Sequence, residues 1–547
     1  MSRNNKHLLV LSFTIFPLLL SGCSLLMPTR RSNSSSQEDS ASSRIDFTSN
    51  NYSTSSNGRT SSNINASSSD NSSASSYSSD YLSSSSEIVD KKGFLIEDGK
   101  LIKYNGSDTV VNVPSEWNGQ PVTEICDFAF RDCSSIVSVV FPNTIEKIGG
   151  RVFRYCSSLI AFNIPASVVY IGDDLIGGCY SLTSIDVDEN NSLYSSFEGV
   201  VFNKNKTEIL ICPAGRTGNY IIPNGVEKIG KWAFCTCENL TNIVIPNTVT
   251  TIEYYAFYMC TKIVSFTIPS SVTNIEECVF SHCYALESIT IPSSVVSIGN
   301  QVFLNCRSLS SINVDSANQH YFAQDNVLLT KDKSILLVCV MTKEGAYTIP
   351  EGVIEISQCA FDGCRLITEI NMPSTLKTIG AWAFTSCSKL NSFNVNGNNS
   401  FICSKDGVVF NKNMTNLIVF PGAKSGDYIV PDGVKEISDM AFQYCSNIMS
   451  VILPDGLTKI GQYSFNGCNS LSWMVLPNSI VSIRHDAFTG GINTNLFYKG
   501  TESQWSNIEF ENNIDDAIKS TVYYYSETRP TESGNYWHYA NGVPTIW

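Results

Sequence analysis

Eleven cysteines recur at one repeated position of this 547-residue chain, and their spacing constrains its fold more than any other feature. Successive members lie 23 residues apart, or 58 apart at three places. An apolar residue, usually Phe, precedes each cysteine by three positions. A fixed period near 23 residues is typical of a solenoid, in which each repeat forms one coil stacked on the last. This set, here called the cysteine ladder, comprises Cys133, Cys156, Cys179, Cys237, Cys260, Cys283, Cys306, Cys364, Cys387, Cys445 and Cys468.

The residues after each ladder cysteine predict one short strand per coil. After Cys237, apolar residues follow at Leu240, Ile243 and Ile245, and Pro246 comes next. Alternation of apolar and polar residues is the period of a strand with one buried face. Proline ends the strand because it cannot donate a hydrogen bond to a sheet. We therefore predict a mostly-β solenoid with short turns, in which the strands form one parallel sheet with a step of about 4.8 Å.

Each spacing of 58 residues contains a regular coil plus an insertion of 35 residues. Residues 199–204 and 407–412 share the sequence Gly-Val-Val-Phe-Asn-Lys, and an apolar run follows each. Two apolar runs around a polar turn predict a hairpin in each of three insertions. Each insertion closes on Tyr-x-x-Pro, which predicts one extra strand. The closing segments are 220–223, 347–350 and 428–431, and the proline expected before each insertion is replaced by Asp188, Asp315 and Asn396.

The N-terminus predicts an export signal and a tether. Arg3 and Lys6 precede an apolar run that ends in Leu-Ser-Gly before Cys23, a pattern that resembles the bacterial lipoprotein box. The resemblance implies a signal peptide over residues 1–22 and a Cys23 that carries acyl chains, which hold the protein to a membrane. The alternative is an ordinary secretory signal with a chance cysteine. Residues 23–88 are dominated by Ser and predict a disordered tether, with a binding or glycosylated stalk as the alternative.

The remaining chain predicts a solenoid with capped ends. A hairpin over 94–104, turning at Asp98 and Gly99, places an N-terminal cap at 89–125. The repeats span 126–495. Residues 496–547 lack the period and are rich in Trp and Tyr, so we predict a C-terminal aromatic cap over the last open coil.

The repeat itself resembles a known family. Ile252, Phe257, Cys260 and Ile263, with the Ile-Pro pair at 245–246, are similar to BspA-type leucine-rich repeats over residues 93–547. Only the last repeat departs, because Gly491 stands in place of the cysteine. The resemblance implies a leucine-rich-repeat solenoid on the extracellular side of a bacterial envelope. Some relatives adhere to host extracellular proteins or to other cells, and the resemblance does not imply an enzyme.

Candidate chemistry elsewhere in the chain is weak. The ladder is periodic and flanked by apolar residues, so we interpret it as buried free thiols, with disulfides or metal thiolates as the alternatives. Asp186, Asp188 and Asn190 have the spacing that starts a calcium loop, but the glycine and glutamate of that loop are missing, which favours a solvated turn. The histidines, including His282, form no pair at metal spacing. We therefore predict no enzyme and no cofactor.

The predicted outward face of the sheet carries Ser, Asn and Thr and changes near the C-terminus to apolar residues. Met449, Ile452, Trp473 and Val475 form a candidate binding face, which the repeat continues to Leu496 and Tyr498. Trp is favoured at binding hot spots, although the tail could instead cover this face as a cap. Aromatic residues of the tail itself could stack on sugars, or could form that cap: Trp537, Tyr539 and Trp547.

These features together predict a lipid-anchored bacterial surface protein that binds a protein ligand on host or neighbouring cells. A net charge of −14 argues against nucleic acid as the ligand, because phosphate binding needs clustered Lys and Arg. The alternatives are an envelope-organising protein without a host ligand, and a glycan-binding or cell-wall-binding module.

Overall fold

Each 23-residue repeat forms one coil with two strands and one irregular turn. The computed structural model describes residues 93–489, 494–511 and 522–547. The longer strand of each coil belongs to what we call the main sheet, and a two-residue strand belongs to a second sheet. The turn stack consists of the turns that lead from the second sheet to the ladder cysteines. The solenoid and its parallel main sheet are therefore confirmed, and the second sheet is an addition that the sequence analysis did not predict.

The first half of the solenoid holds one insertion of three strands. Before it lie β1 (Phe94–Glu97), β2 (Lys100–Tyr104), β3 (Val110–Asn112), β4 (Glu116–Trp117), β5 (Gln120–Pro121), β6 (Glu124–Ile125), β7 (Ser138–Val140), β8 (Lys147–Ile148), β9 (Ala161–Ile164), β10 (Tyr170–Ile171) and β11 (Ser184–Val187). The insertion is β12 (Tyr194–Phe197), β13 (Val200–Asn203) and β14 (Glu208–Ile211). After it come β15 (Gly218–Ile221), β16 (Lys228–Ile229), β17 (Leu240–Val244), β18 (Thr251–Ile252), β19 (Ser265–Thr267), β20 (Asn274–Ile275), β21 (Ser288–Ile291), β22 (Ser297–Ile298) and β23 (Ser311–Val314).

The second half holds the other two insertions and the C-terminal strands. The second insertion is β24 (Tyr321–Gln324), β25 (Val327–Thr330) and β26 (Ile335–Cys339), followed by β27 (Glu344–Thr348), β28 (Glu355–Ile356), β29 (Leu366–Met372), β30 (Thr378–Ile379) and β31 (Ser392–Val395). The third is β32 (Ile402–Lys405), β33 (Val408–Asn411) and β34 (Asn416–Val419). The last part holds β35 (Gly426–Ile429), β36 (Glu436–Ile437), β37 (Ile448–Ile452), β38 (Lys459–Ile460), β39 (Trp473–Leu476), β40 (Ser482–Ile483), β41 (Asn495–Tyr498), helix α1 (Glu502–Trp505), β42 (Glu509–Phe510), β43 (Val522–Tyr525), β44 (Tyr536–Ala540) and β45 (Val543–Ile546).

The turns of neighbouring coils are joined by a repeated set of backbone hydrogen bonds. In the turn before Cys260, Tyr255 and Met259 have positive φ values of 56° and 58°. Left-handed backbone is unfavourable for residues with a side chain, so it needs compensation from its surroundings. This compensation comes from hydrogen bonds: the alternate N–H groups of Tyr255, Phe257 and Met259 donate to carbonyls of the following coil, at 3.3, 3.0 and 3.1 Å.

Phenylalanines stack along the inside of the turn stack. Phe234, Phe257, Phe280 and Phe303 lie in successive coils with ring centroids 5.3, 5.6 and 5.7 Å apart. All four rings are buried. The periodic Phe of the sequence is therefore a continuous aromatic core that runs through consecutive repeats.

The ladder thiols are unpaired and, except for the half-exposed Cys133, buried. Most donate a hydrogen bond to the carbonyl of the preceding coil, as Cys156 Sγ does to Phe130 at 3.0 Å and Cys306 Sγ to Phe280 at 3.0 Å. The interpretation as buried free thiols is thus confirmed for ten of the eleven positions. Their role as donors between coils was not foreseen.

We expect these thiols to resist alkylation in the native protein. Burial raises the pKa of Cys156, Cys306 and Cys468 to about 12, so the reactive thiolate is scarce at neutral pH. Mass spectrometry after a short treatment with iodoacetamide should find Cys133 labelled and these three unlabelled, and unfolding should release all of them. Rapid native labelling of most ladder positions would contradict the packing, and resistance after non-reducing unfolding would indicate disulfides.

The three insertions form the predicted hairpins. In the first, β13 pairs with β14 in antiparallel fashion, and β12 adds a strand on the other side of β13. Strand β14 then continues the second sheet beside β16, and β15 continues the main sheet beside β17. The extra strand predicted at Tyr-x-x-Pro is confirmed, since β15 includes Tyr220, and each insertion interrupts the main sheet.

A buried asparagine holds the start of each insertion. Asn191 has no exposed surface, and its Nδ2 donates to the carbonyls of Pro165 at 2.8 Å and Val168 at 2.9 Å. Its Oδ1 accepts from the N–H groups of Leu193 and Tyr194 at 2.9 and 2.8 Å. The same four bonds recur at Asn318 and Asn399. These asparagines therefore bridge backbone groups that the insertion would otherwise leave unpaired.

The terminal elements extend the stack. Strands β1 and β2 form the predicted N-terminal hairpin. At the other end, β41, β43, β44 and β45 continue the main sheet. Among the described residues, no helix has the length and apolarity that crossing a membrane requires. The predicted signal peptide, Cys23, the tether and the irregular position Gly491 lie outside the described residues.

Candidate protein-binding face

The outward face of the main sheet is largely neutral. In β21 the side chains of Ser288 and Thr290 are exposed while Ile289 and Ile291 are buried, as a period of two requires. Neighbouring strands pair in register, so that Ser288 aligns with Ser265. Similar side chains therefore form rows of hydroxyl and amide groups across the coils.

Exposed apolar side chains lie on this face in several strands, among them the aligned Ile221 and Val244, and another group lies near the C-terminus. Met449 is 56% exposed, and Ile452 and Trp473 are partly buried. Ile429 aligns with Ile452 in the neighbouring strand and is 68% exposed. We call Ile429, Met449, Ile452 and Trp473 the apolar sheet patch. Ile429 was missed by the sequence analysis, although its place in the strand before Pro431 could have identified it.

The tail covers the next part of the face. The Trp537 ring lies 5.3 Å from the Phe497 ring, and its Nε1 donates to the Tyr498 carbonyl at 2.9 Å. Trp537, Phe497 and Val475 pack as one buried cluster. Val475 has no exposed surface, so its assignment to an open binding face is corrected: it aligns with Trp473 along β39 but lies beneath Trp537.

A second correction concerns the coil that follows. Val475 aligns with Phe497, and Leu496 and Tyr498 point into the core with 1% exposure each. The last coil is one residue shorter than the period, and a shift of one residue exchanges the two faces of a strand. The predicted continuation of the face through Leu496 and Tyr498 is therefore wrong, and Phe497 takes that place.

Trp473 remains at the edge of the covered region. Its ring centroid lies 6.3 Å from that of Phe497, and its side chain keeps part of its surface exposed. Polar groups lie within and beside the apolar sheet patch: Ser450, which aligns with Trp473, donates to Asp427 at 2.6 Å, and Lys499 pairs with Asp455 at 2.7 Å. Apolar side chains accompanied by polar groups are the usual composition of a protein-binding surface.

The other candidate groups take part in local structure. The Asp188 carboxylate accepts from the Asn190 N–H at 2.9 Å, which closes the turn that the sequence predicted. His282 Nδ1 lies 2.8 Å from Ser281 Oγ, and burial lowers the pKa of its ring to about 4. Within residues 93–489, 494–511 and 522–547, no group of three or more His, Cys, Asp or Glu side chains is arranged to hold a metal ion.

The tail aromatics mostly pack against their own segment. Trp537 is fully buried. Trp547 stacks on His538 with centroids 3.7 Å apart, and its Nε1 donates to the Ser526 carbonyl at 2.9 Å. Tyr539, which is 39% exposed, lies 5.0 Å from Trp537 in an edge contact. This arrangement supports the cap interpretation of the tail over the sugar-stacking one.

Comparison with known proteins identifies the repeat. The sequence matches the BspA type leucine rich repeat region in six copies, over residues 112–217, 214–327, 342–425 and 419–527. No curated protein matches the chain.

Several solved structures match the chain over most of its length. A leucine-rich cell surface protein from Faecalibacterium prausnitzii is 24% identical over 79% of this chain and all of its own, with a TM-score of 0.36. The pneumococcal vaccine antigen PcpA is 17% identical over 77% of this chain and 89% of its own, with a TM-score of 0.35. A leucine-rich repeat protein from Bacteroides ovatus is 22% identical over 77% of this chain and 87% of its own, with a TM-score of 0.28.

Proposed function

Because the chain belongs to the BspA-type leucine-rich repeat family, we propose that it is a lipid-anchored protein of a bacterial cell surface whose solenoid binds a protein ligand. The observation that carries this proposal is the apolar sheet patch, which stays open beside the part that Trp537 covers. Scattered apolar side chains are common on protein surfaces, but a contiguous group accompanied by polar groups favours association. The ligand is a folded protein or peptide that offers apolar side chains to the patch.

Trp473 is the anchor of this surface. An aromatic ring that is already held on one side loses little conformational freedom on binding, and Trp is enriched at hot spots. Charge steering contributes little, because the sheet face is largely neutral and the chain is acidic. The affinity should therefore depend weakly on salt.

Replacing Trp473 with serine should weaken protein binding by about 2 kcal/mol or more. The protein would first be screened against extracellular matrix proteins and purified wall polysaccharide, and the ligand's affinity for the Trp473→Ser variant would then be measured by surface plasmon resonance. Trp117→Ser is a matched control, because Trp117 is partly buried near the other end of the solenoid. Equal affinity of the Trp473→Ser variant and the unmodified protein would contradict the proposed surface.

Replacing Cys23 with alanine tests the anchor. If Cys23 carries acyl chains, the variant should leave the membrane fraction or keep its signal peptide, because the sulfur that accepts the lipid is gone. Fractionation and the mass of the mature chain would report both effects. Unchanged membrane partitioning together with an unchanged mature mass would disprove the anchor.

A further inference from the structure

The turn stack is interrupted at the insertions. Between regular coils, three N–H groups of each turn donate to the next, as Trp232, Phe234 and Thr236 do at 3.1, 2.8 and 2.8 Å. Across the first insertion, the Gly178 N–H instead donates to the Thr236 side chain at 3.2 Å. Across the third, the Thr385 hydroxyl lies 3.4 Å from Gln443 Oε1. Side chains therefore bridge turns that stand too far apart for the usual backbone bonds.

The gap arises because each insertion adds a strand to both sheets but lacks a full turn. In the first insertion, β14 and β15 are joined by the short connection 212–217, whose Cys212 N–H donates to Ala233 and whose Gly215 N–H donates to Leu182. This connection lies against the core. Outside it a cavity of about 370 Å³ opens, and the third insertion leaves an equivalent cavity of about 350 Å³. Both volumes fall in the range of small-molecule sites.

A tryptophan forms one wall of the first cavity. The indole of Trp232 stacks on the Tyr255 ring of the following coil, with centroids 4.1 Å apart and planes 9° from parallel. Trp232 also lines the cavity, together with residues of the preceding coil such as Asp174 and Ile176. The Tyr255 ring holds the indole in place, so the cavity has a preorganised apolar wall.

Three carboxylates of the first cavity have cationic partners. Glu208 and Glu253 both pair with Lys228, at 2.8 and 3.1 Å. Asp174 lies 3.6 Å from Arg151. Asp173 and Lys231 also line the cavity, and their formal charges are opposite. The carboxylate oxygens can accept further hydrogen bonds, while the positive and negative charges around the cavity largely offset one another.

The cavity of the third insertion shares a tryptophan and ion-paired carboxylates with the first. Trp382 contributes to its wall from the coil before the gap. Its carboxylates are paired as well, Glu436 with Lys459 at 2.8 Å and Asp439 with Arg484 at 3.1 Å. Two separate insertions of one chain thus combine a gap in the turn stack, a tryptophan and ion-paired carboxylates.

From this composition we infer that the two cavities are saccharide sites, each of which takes a neutral sugar unit. The C–H face of a pyranose ring packs on an indole, and its hydroxyls donate hydrogen bonds to the carboxylates. A charged ligand would have to compete with the existing ion pairs, and an apolar one would leave the free acceptor positions of the carboxylates without hydrogen-bond donors. The sites lie on the turn stack and are independent of the apolar sheet patch.

The inference can be tested by ¹⁹F NMR on the full chain labelled with 5-fluorotryptophan. The protein has seven tryptophans, and the signals of Trp232 and Trp382 would be assigned with Trp→Phe variants. Cellobiose, maltose, lactose and chitobiose would be titrated separately. We expect at least one of them to shift both signals and to leave that of Trp473 in place.

Alanine variants then locate the binding. Trp232→Ala and Trp382→Ala should each weaken one of two binding events, with the affinity at the altered site falling about tenfold. Trp473→Ser should bind saccharide normally, so failure of the protein-binding proposal and failure of this one remain distinguishable. Absence of any shift with these sugars, shifts confined to Trp473 or Trp547, or unchanged binding by the double alanine variant would each overturn the inference.

Discussion

Replacing Phe257 with alanine is expected to lower the free energy of unfolding by about 3–5 kcal/mol. The ring has no exposed surface and contacts rings of three coils. It stacks between Phe234 and Phe280 at 5.3 and 5.6 Å and tilts against Phe266 at 4.8 Å. Because coils contact mainly their neighbours, the cavity would weaken two interfaces at once.

Urea unfolding of the variant, followed by hydrogen exchange, would measure this loss. Solenoids often unfold in parts, so exchange of the amides in the coils around residue 257 is the more direct measure of the local change. Phe197→Ala is a suitable control, because Phe197 is 44% exposed on an insertion hairpin and should cost little. A loss below about 1 kcal/mol for Phe257→Ala would be inconsistent with a close-packed ring.

Replacing Asn191 with alanine is expected to destabilise the protein by about 3 kcal/mol or more, because it removes four hydrogen bonds at once. The bonds to the carbonyls of Pro165 and Val168 and from the N–H groups of Leu193 and Tyr194 would be lost, and only the Pro165 carbonyl keeps another donor, the Val168 N–H at 3.2 Å. A buried polar group without a partner costs more than a hydrogen bond contributes.

The neighbouring Asn190 offers a matched control. It is exposed and bonds only to Asp188 among the side-chain contacts described, so Asn190→Ala should change stability by less than about 1 kcal/mol. Asn191→Asp should be at least as harmful as the alanine variant, since it would place a carboxylate oxygen against two carbonyls. Thermal unfolding of the three variants at one pH would give the order of their stabilities. Equal stability of Asn190→Ala and Asn191→Ala would show that the buried bonds contribute little.

The candidate binding face illustrates how far a repeat pattern can be followed. Trp473 and Met449 were found from the sequence because the main-sheet strands of the regular coils up to β39 keep a constant distance from the ladder cysteines, so outward positions can be counted from the ladder. The same count from the ladder identified the wrong residues in the next coil, because the strand register there moves by one residue and Phe497 faces outward. It also missed Ile429, which belongs to a strand that has no ladder cysteine before it.

The sequence alone determined the coil, the alternation of each strand, the three hairpins and the buried place of the thiols. Each of these features forms within one repeat or between adjacent repeats. There the alternation of every second residue in a strand, and the repeat of 23 residues along the chain, indicate which side chains face inward. Only the tertiary structure decided that Trp537 covers Val475, that Asn191 bridges two segments and that gaps open in the turn stack. These features join parts of the chain that lie outside the regular repeat. Their geometry depends on how the tail and the insertions pack against coils already formed, and no period in the sequence encodes that packing.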